Sequence, residues 1–475
     1  MVSSAPQYLA FDLGASSGRA LLGTLRGSRL HVDEVHRFET PLVEERERLF
    51  WDLAVLEDEI DAGLRKALEE TSDLQSLSVD SWAVDYVPLD AEGTPLRDPY
   101  CYRDPRGKDV MEETLDRLSR ETIYSTTGIQ FLPINTLYQV LADQRMEPDL
   151  VQHTALRLPI ADYIHYRYSD QPVVERSMAS TTQLLDVRRH VWATSLMEEV
   201  GIDPDTWPEI IPPATPLGPL SHAARSPSGT PVEVVAGCTH DTACAVAAVP
   251  ADEHGPPWAY ISCGTWSLLG VEREEPVLTD AACEASFTNE LGLDGTVRFL
   301  KNLTGLWILQ ECERAWENQG QQFDHDTLQR EAAEAASLGT VDPNEPRFLE
   351  RGQMPQKIRS YCEENDQPTP ETRGEVVRLI LESLAADYRD KLDQMEQLVG
   401  EQIEVVHLVG GGSRNELLCQ WTADATGRRV VAGPAEATAL GNLLIQARTM
   451  GGLPDGVSIR DIVRASTDLR TYEPG

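Results

Sequence analysis

The sequence predicts a two-domain α/β protein, and three observations carry that prediction. At 475 residues with 41% hydrophobic residues, the chain is too long for a single core and apolar enough for two. Apolar stretches of strand period alternate with amphipathic stretches of helical period, the pattern of mixed sheets covered by helices. One turn design also occurs twice: an apolar strand breaks at Gly and hydroxyl residues and resumes as a second strand. It reads YLAFDLGASSGRALLG from Tyr8 to Gly23 and AYISCGTWSLLG from Ala259 to Gly270.

After the first turn, a strand near His31 to Phe38 leads to an amphipathic helix from about Leu53, with Leu53, Leu56, Ile60, Leu64 and Leu68 on one stripe. Two strands follow in SLSVDSWAVDYVPLD, then the polar turn AEGTPLRD. A Pro-rich stretch from about Ile210 to Pro219 precedes the strand VEVVAG and the small-residue helix of DTACAVAAV, and ADEHGPP has the composition of a linker. The expected domains are therefore residues 1–250 and 251–475. The second half repeats the plan with a hairpin, helices and a late strand, VVHLVGGG, from Val405 to Gly412. The stretch from about Ser337 to Thr372, rich in Pro and charge, is expected to be a surface excursion.

Composition excludes several classes. With 41 Lys plus Arg against 78 Asp plus Glu, the formal charge of -37 argues against nucleic acid or an anionic membrane as partner. Such an acidic surface matches proteins of salt-loaded cytoplasm, where dense carboxylates hold water and counterions screen their repulsion. A merely acidic enzyme is the other reading. No apolar run is long enough to span a membrane, and MVSSAPQYLA lacks the regions of a signal peptide, so a cytoplasmic location is expected. The eight Cys form no C-x-x-C pair, which favours a reducing compartment over a disulfide framework.

Neither a Walker loop nor a G-x-G-x-x-G turn occurs. The two Gly turns, including Gly264, are the candidate phosphate sites, because glycine lets backbone N–H groups approach an anion and Ser or Thr adds a short donor. Either turn alone reads equally as an ordinary hairpin. Asp241, in GCTHDTACAVAAV, stands at the mouth of a helix, where the dipole and free N–H groups would keep it ionised at neutral pH. It is either a base for phosphoryl transfer or an N-cap. Its neighbour His240 orients substrate or is structural. Asp12 ends the first strand, a place for a carboxylate that holds a metal-bound water or a substrate hydroxyl, or for an Asx turn. Strand alternation in DSWAVDY places Asp80, Trp82 and Val84 on one face, which lines a polar pocket with an aromatic wall or leaves Trp82 in the core. YRDPR, from Tyr102 to Arg106, offers paired Arg and Asp or a surface ion pair. The three glycines ending at Gly412 admit a flat ring, with a helix from about Asn415 to Thr426 as the pocket wall, or form a flexible turn.

Taken together, GASSGR, DSWAVDY, YRDPR, HDTA, KNLTGLWILQ, SCGTWSLLG, VGGGSRNELLCQWTADATG and AGPAEATALGN resemble the FGGY carbohydrate kinases, in order and over essentially the whole chain. The resemblance implies the two-domain, actin-like sugar-kinase (ribonuclease H-like) fold with a cleft between lobes. It implies phosphoryl transfer from ATP, with magnesium, to the 1-hydroxyl of L-rhamnulose, and a monomer or homodimer whose partners are sugar and nucleotide. A kinase for another ketose or a polyol, such as L-fuculose or L-xylulose, and a non-catalytic sugar or nucleotide sensor are the alternatives. Asp241 matches the family's proton acceptor, and His240, Thr242 and Asn302 match sugar contacts. Ala15, Ser16, Ser17, Gly18 and Arg19 match the first phosphate loop, and Thr265 the second. Gln310 and Gly411 match nucleotide contacts, and Ala83 stands where the family has a substrate-contacting Gly, adding a methyl group to the pocket wall.

Overall fold

A computed structural model describes residues 5–475 except 72, 222–228, 230 and 253, so Met1 to Ser4 and Glu253 of the linker motif lie outside the described residues. The chain folds as two compact units. The first comprises residues 1–248, 272–299 and 438–466; the second comprises 249–271, 300–437 and 467–475. The chain thus leaves the first unit after Ala248 and later returns to it twice.

The first unit is built on a six-stranded sheet. Its spatial order is Thr215–Pro219, Glu233–Ala236, Leu74–Ser81, Gln7–Leu13, Ser17–Arg26, Arg29–Glu39. Gln7–Leu13 runs parallel to Leu74–Ser81 and antiparallel to Ser17–Arg26. Six of its seven residues are buried, as a central strand covered on both faces requires. The Pro-rich stretch ends as the edge strand Thr215–Pro219, where proline costs no ladder bond. Against this sheet packs the helix Leu53–Glu70, capped by Asp52 and burying Leu53, Leu56, Ile60 and Leu64. Leu68 is only partly buried.

Between residues 107 and 200 lies a mostly helical region. Its helices include Gly107–Arg117, Thr136–Met146 and Ile160–Ser169. Leu137, Tyr138 and Met197 from this region join Tyr86 and Trp207 in a second small core.

The second unit repeats the sheet plan. Trp258–Cys263 pairs antiparallel with Trp266–Arg273 and parallel with Val405–Val409, which in turn runs parallel to Arg429–Ala432. The first sheet has the same pairings around Gln7–Leu13, so the duplication in the sequence is a duplication of strand order. The 27-residue helix Arg373–Val399, closed by a Thr372/Glu375 capping box and by Gly400, packs on the helices His325–Glu334 and Glu416–Thr426 and reaches this sheet where Tyr388 bonds Ser267. The stretch 337–372 differs from the surface excursion expected of it. It holds the helices Pro346–Leu349 and Met354–Glu364, and Val341, Phe348, Met354, Ile358 and Cys362 are buried. Apolar residues spaced among the charges anchor it.

All eight cysteines are free of disulfides. Among the described residues no helix is long and apolar enough to cross a membrane.

Candidate active site

Strand register brings the candidate side chains of the first unit together. Asp12 is directly opposite Arg19 on one neighbouring strand and Asp80 on the other. One cation and two carboxylates therefore stand in a row across three strands. Arg19 Nη2 donates to Asp12 Oδ2 at 2.5 Å. Asp80 is fully buried; Asn442 Nδ2 donates to its Oδ2 at 2.6 Å, while its Oδ1 has no partner. Burial, then Asp12 beside it, holds the Asp80 carboxyl well above the usual carboxylate range. Of the two carboxylates, Asp12 is the one that has the guanidinium.

Asp241 lies one strand further on, where Ser81 bridges to His240 and Ser81 N–H donates to Thr239 O at 2.9 Å. The segment is held from behind by buried Glu175, whose Oε2 accepts from Thr239 N–H, and by Ser177 Oγ, which accepts from His240 N–H. Asp241 Oδ1 accepts from Thr242 N–H at 2.5 Å and from Thr242 Oγ1 at 3.0 Å. No described group hydrogen bonds to Oδ2. The helix dipole does not decide the charge here, because Asp241–Ala247 is only seven residues long and its other six residues are buried. Burial pushes the Asp241 carboxyl up to about 7, with Asp12 adding to the rise and Thr242 opposing it. The side chain still keeps 32% of its surface exposed. The expectation of a carboxylate kept ionised by the helix is thus corrected: burial raises it toward neutrality, as suits a proton acceptor.

Other expected contacts are placed differently. The strand ends at Ser81, so the alternation read through DSWAVDY stops there. Val84 has φ +71°, a strained value for a β-branched residue, and its carbonyl accepts from Thr136 Oγ1 and Gln139 Nε2. Trp82 is in the core, and its indole N–H shares Asp85 with the Trp51 indole, the Gln139 amide and the Tyr102 N–H. Neither Trp82 nor Asp80 presents its side chain to solvent. Ala83 is half-buried against the same core. YRDPR is no surface ion pair: Asp104 accepts from Arg48 and the Leu49 N–H, while Arg106 donates to Gln139 and lies 3.9 Å from the centre of the Tyr100 ring.

The first Gly turn closes with Gly14 N–H donating to Ser17 O at 3.0 Å. Thr40 ties back its carbonyls, donating its N–H to Ser16 O and its hydroxyl to Gly14 O. No described group accepts from the N–H of Ala15 or Ser16. Ser17, Gly18 and Arg19 already belong to the second strand. A phosphate is repelled by carbonyl oxygens, so restraining them and freeing the amides makes an anion-facing turn.

In the second unit, Gly264 N–H donates to Trp266 O at 2.8 Å, and the carbonyls of Gly264 and Thr265 accept from the N–H groups of Leu306 and Trp307. Thr265 Oγ1 donates to Gln310 Oε1 at 3.2 Å. Gly305 is needed for this bracing, since a Cβ there would lie 2.7 Å from Gly264 O. Asn302 is half-buried on Val297–Thr304. The three late glycines have separate reasons: a Cβ at Gly410 or Gly412 would strike Cys263, whereas Gly411 faces open space. Packing explains two of them, and room for a ligand only the third.

Sequence reasoning missed Thr40, Gly305, Asn442, Glu290 and Arg298. Only Arg298 left a signal: an arginine within the apolar run VRFL has to find a partner inside the protein. Among the described residues no group of three or more His, Cys, Asp or Glu side chains forms a metal cluster. The Asp12 carboxylate would suit magnesium carried on nucleotide phosphates, reached through water.

Two α/β units on one repeated sheet plan define the architecture of the sugar kinases. The fold aligns over 99% of this chain and 94% of the partner with the ligand-bound xylulose kinase of Lactobacillus acidophilus, at TM-score 0.80 and 14% identity. It aligns equally well with the Plasmodium falciparum glycerol kinase with ADP, at TM-score 0.79 and 16% identity. Residues 7–248 match the N-terminal domain model, and residues 259–450 the C-terminal domain model, of the FGGY family of carbohydrate kinases. The chain belongs to that family and is a carbohydrate kinase. It is 38% identical to the rhamnulokinase of Oceanobacillus iheyensis over 98% of this chain and 97% of that one. It is 39% identical to that of Halalkalibacterium halodurans over 98% of both.

Proposed function

We propose that the protein transfers the γ-phosphoryl group of ATP to the 1-hydroxyl of L-rhamnulose. Near full-length similarity to several proteins named rhamnulokinase supports the substrate. The observation that carries the chemistry is Asp241, with Oδ1 held by Thr242 and Oδ2 left for a proton. In the proposed reaction the sugar oxygen bonds to the γ-phosphorus as the bond to the β,γ-bridging oxygen breaks. The hydroxyl proton passes to Asp241 Oδ2, and ADP leaves. A weakly basic carboxylate suffices because orientation supplies most of the barrier lowering. The amides of Ala15 and Ser16 and the Arg19 guanidinium face phosphate oxygens in this reading, as do the Thr265 amide and hydroxyl. Gln310 and Gly411 contact the nucleotide, and His240, Asn302 and Ala83 contact the sugar. Asp12 would hold nucleotide-borne magnesium through water, and the ion would supply neutralising charge for the transferred group.

The test is ADP release with ATP and magnesium in high-salt buffer across L-rhamnulose, L-fuculose, L-xylulose, L-ribulose and glycerol. Preference for L-rhamnulose is expected. Preference for another sugar would keep the chemistry and move the substrate, with Ala83 as the first residue to revert to Gly. ATP binding without turnover on any sugar would overturn the reading.

A further inference from the structure

Arg298 is a buried cation in a strand whose neighbours are Val297, Phe299 and Leu300, all buried. Its Nε and Nη2 donate to Leu291 O at 3.3 and 3.1 Å, so the guanidinium is fixed in place. The same Nη2 lies 3.1 Å from His240 Nδ1 and 3.2 Å from Glu290 Oε2. A guanidinium has no acceptor, so the contact at Nδ1 is attractive only if Nδ1 carries a lone pair. In the neutral ring the proton then sits on Nε2, which is 3.3 Å from Asp241 Oδ1.

The other protonation states do not fit. A proton on Nδ1 would face Glu290 Oε2 at 3.4 Å but point an N–H against the Arg298 N–H. An imidazolium would put a second buried cation beside Arg298, and both burial and Arg298 hold His240 well below the usual histidine range. Glu290 supplies the countercharge for Arg298, not for His240.

We propose that Arg298 is a positioning residue that locks His240 as the neutral tautomer with its proton on Nε2, so that the imidazole presents a fixed donor beside the acceptor Asp241. This rests on the sugar-kinase reading in one respect only: the oxygen that receives the Nε2–H belongs to the sugar. A donor and an acceptor held side by side read one sugar oxygen while the neighbouring hydroxyl gives up its proton. Losing the lock lets the ring flip or exchange tautomers, turning the donor into an acceptor that repels the same oxygen.

The deciding measurement is the nitrogen NMR spectrum of the full chain labelled at histidine, with the His240 signals identified by their absence in His240→Gln. An unprotonated Nδ1 and a protonated Nε2, unchanged between pH 5.5 and 8, are expected; the reverse pattern, or a titrating imidazolium, overturns the proposal without any variant at 298. Arg298→Met should lose the single-tautomer pattern and about 10- to 100-fold in kcat/KM for L-rhamnulose, with the ATP KM within about twofold. Arg298→Lys, which restores a donor, should recover the tautomer and most of the rate. An Arg298→Met spectrum identical to the parent's would overturn the lock. Parent turnover on L-rhamnulose is read separately, so a wrong sugar would show there while leaving the tautomer result intact.

Discussion

The two glycine turns share a backbone and differ in their electrostatics. In each, the glycine N–H is spent closing the turn and a neighbouring segment ties back the carbonyls: Thr40 in the first, Leu306 and Trp307 in the second. The side chains behind the first are ionisable, with Arg19, Asp12 and Asp80 in register and Asp241 influenced by Asp12. Those behind the second are neutral: Thr265 with Gln310, and Ser267 with Tyr388 at 2.7 Å. In the proposed reaction one turn design serves two tasks, proton and charge movement at the first turn and holding of the nucleotide at the second.

The sharpest way to break this contrast is to neutralise the first side. Asp241→Asn should lower kcat by about 10²- to 10⁴-fold while leaving both KM values near the parent's. Near-normal kcat would remove the base and make the two turns equivalent.

Gly305→Ala should act through the second turn alone. The added methyl meets Gly264 O at 2.7 Å and should raise the ATP KM by about tenfold or more, with the sugar KM unchanged. If sugar affinity moved as far as ATP affinity, the division of labour would fail.

The pH dependence sharpens the comparison. With Asp241 at about 7, kcat/KM for the sugar should fall as pH drops below neutrality, and Asp12→Asn should carry that limb to lower pH because Asp12 helps raise it. For stability the sign is the reverse of a paired carboxylate's. A folded value near 7 against 3.8 means that the contribution is present below about pH 4 and is lost as pH rises through 7. Asp241→Asn should therefore be more stable than the parent at pH 8, by on the order of 2 kcal/mol, about half of what the shift represents because water reaches the group. A lower melting temperature for the variant at pH 8 would contradict this.

Smaller effects separate neighbouring residues. Gly412→Ala, striking Cys263, should cost about 1–3 kcal/mol. Gly411→Ala, facing open space, should leave the melting temperature unchanged and affect ATP binding alone; equal losses of stability would show that both glycines serve packing. Least in size, the melting temperature should rise gradually with potassium chloride if the charge of -37 marks a salt-adapted surface, and a flat response would remove that reading.

Much of this was legible in the sequence, for identifiable reasons. The duplicated turn, the Leu53–Glu70 helix and the strands around Asp12 follow from local periodicity and turn chemistry. What escaped depends on distant partners. DSWAVDY reads as a continuing strand until Thr136 and Gln139, more than 50 positions on, hold Val84 in a left-handed turn. The charge state of Asp241 follows burial that no local pattern reveals. Asn442 is legible only as a polar residue in a helix; that it bonds Asp80 from 362 positions away belongs to the fold.

That last bond has a consequence for synthesis. The helix that carries Asn442 and Gln446 belongs to the first unit, with Gln446 Nε2 donating to Leu9 O beneath the first strand, yet Gln446 and Leu9 stand 437 positions apart. The opening strands therefore leave the ribosome long before their covering helix exists. A nascent chain halted near residue 430 would hold a nearly whole second unit and a first unit with an uncovered sheet face, the form a chaperone has to shelter.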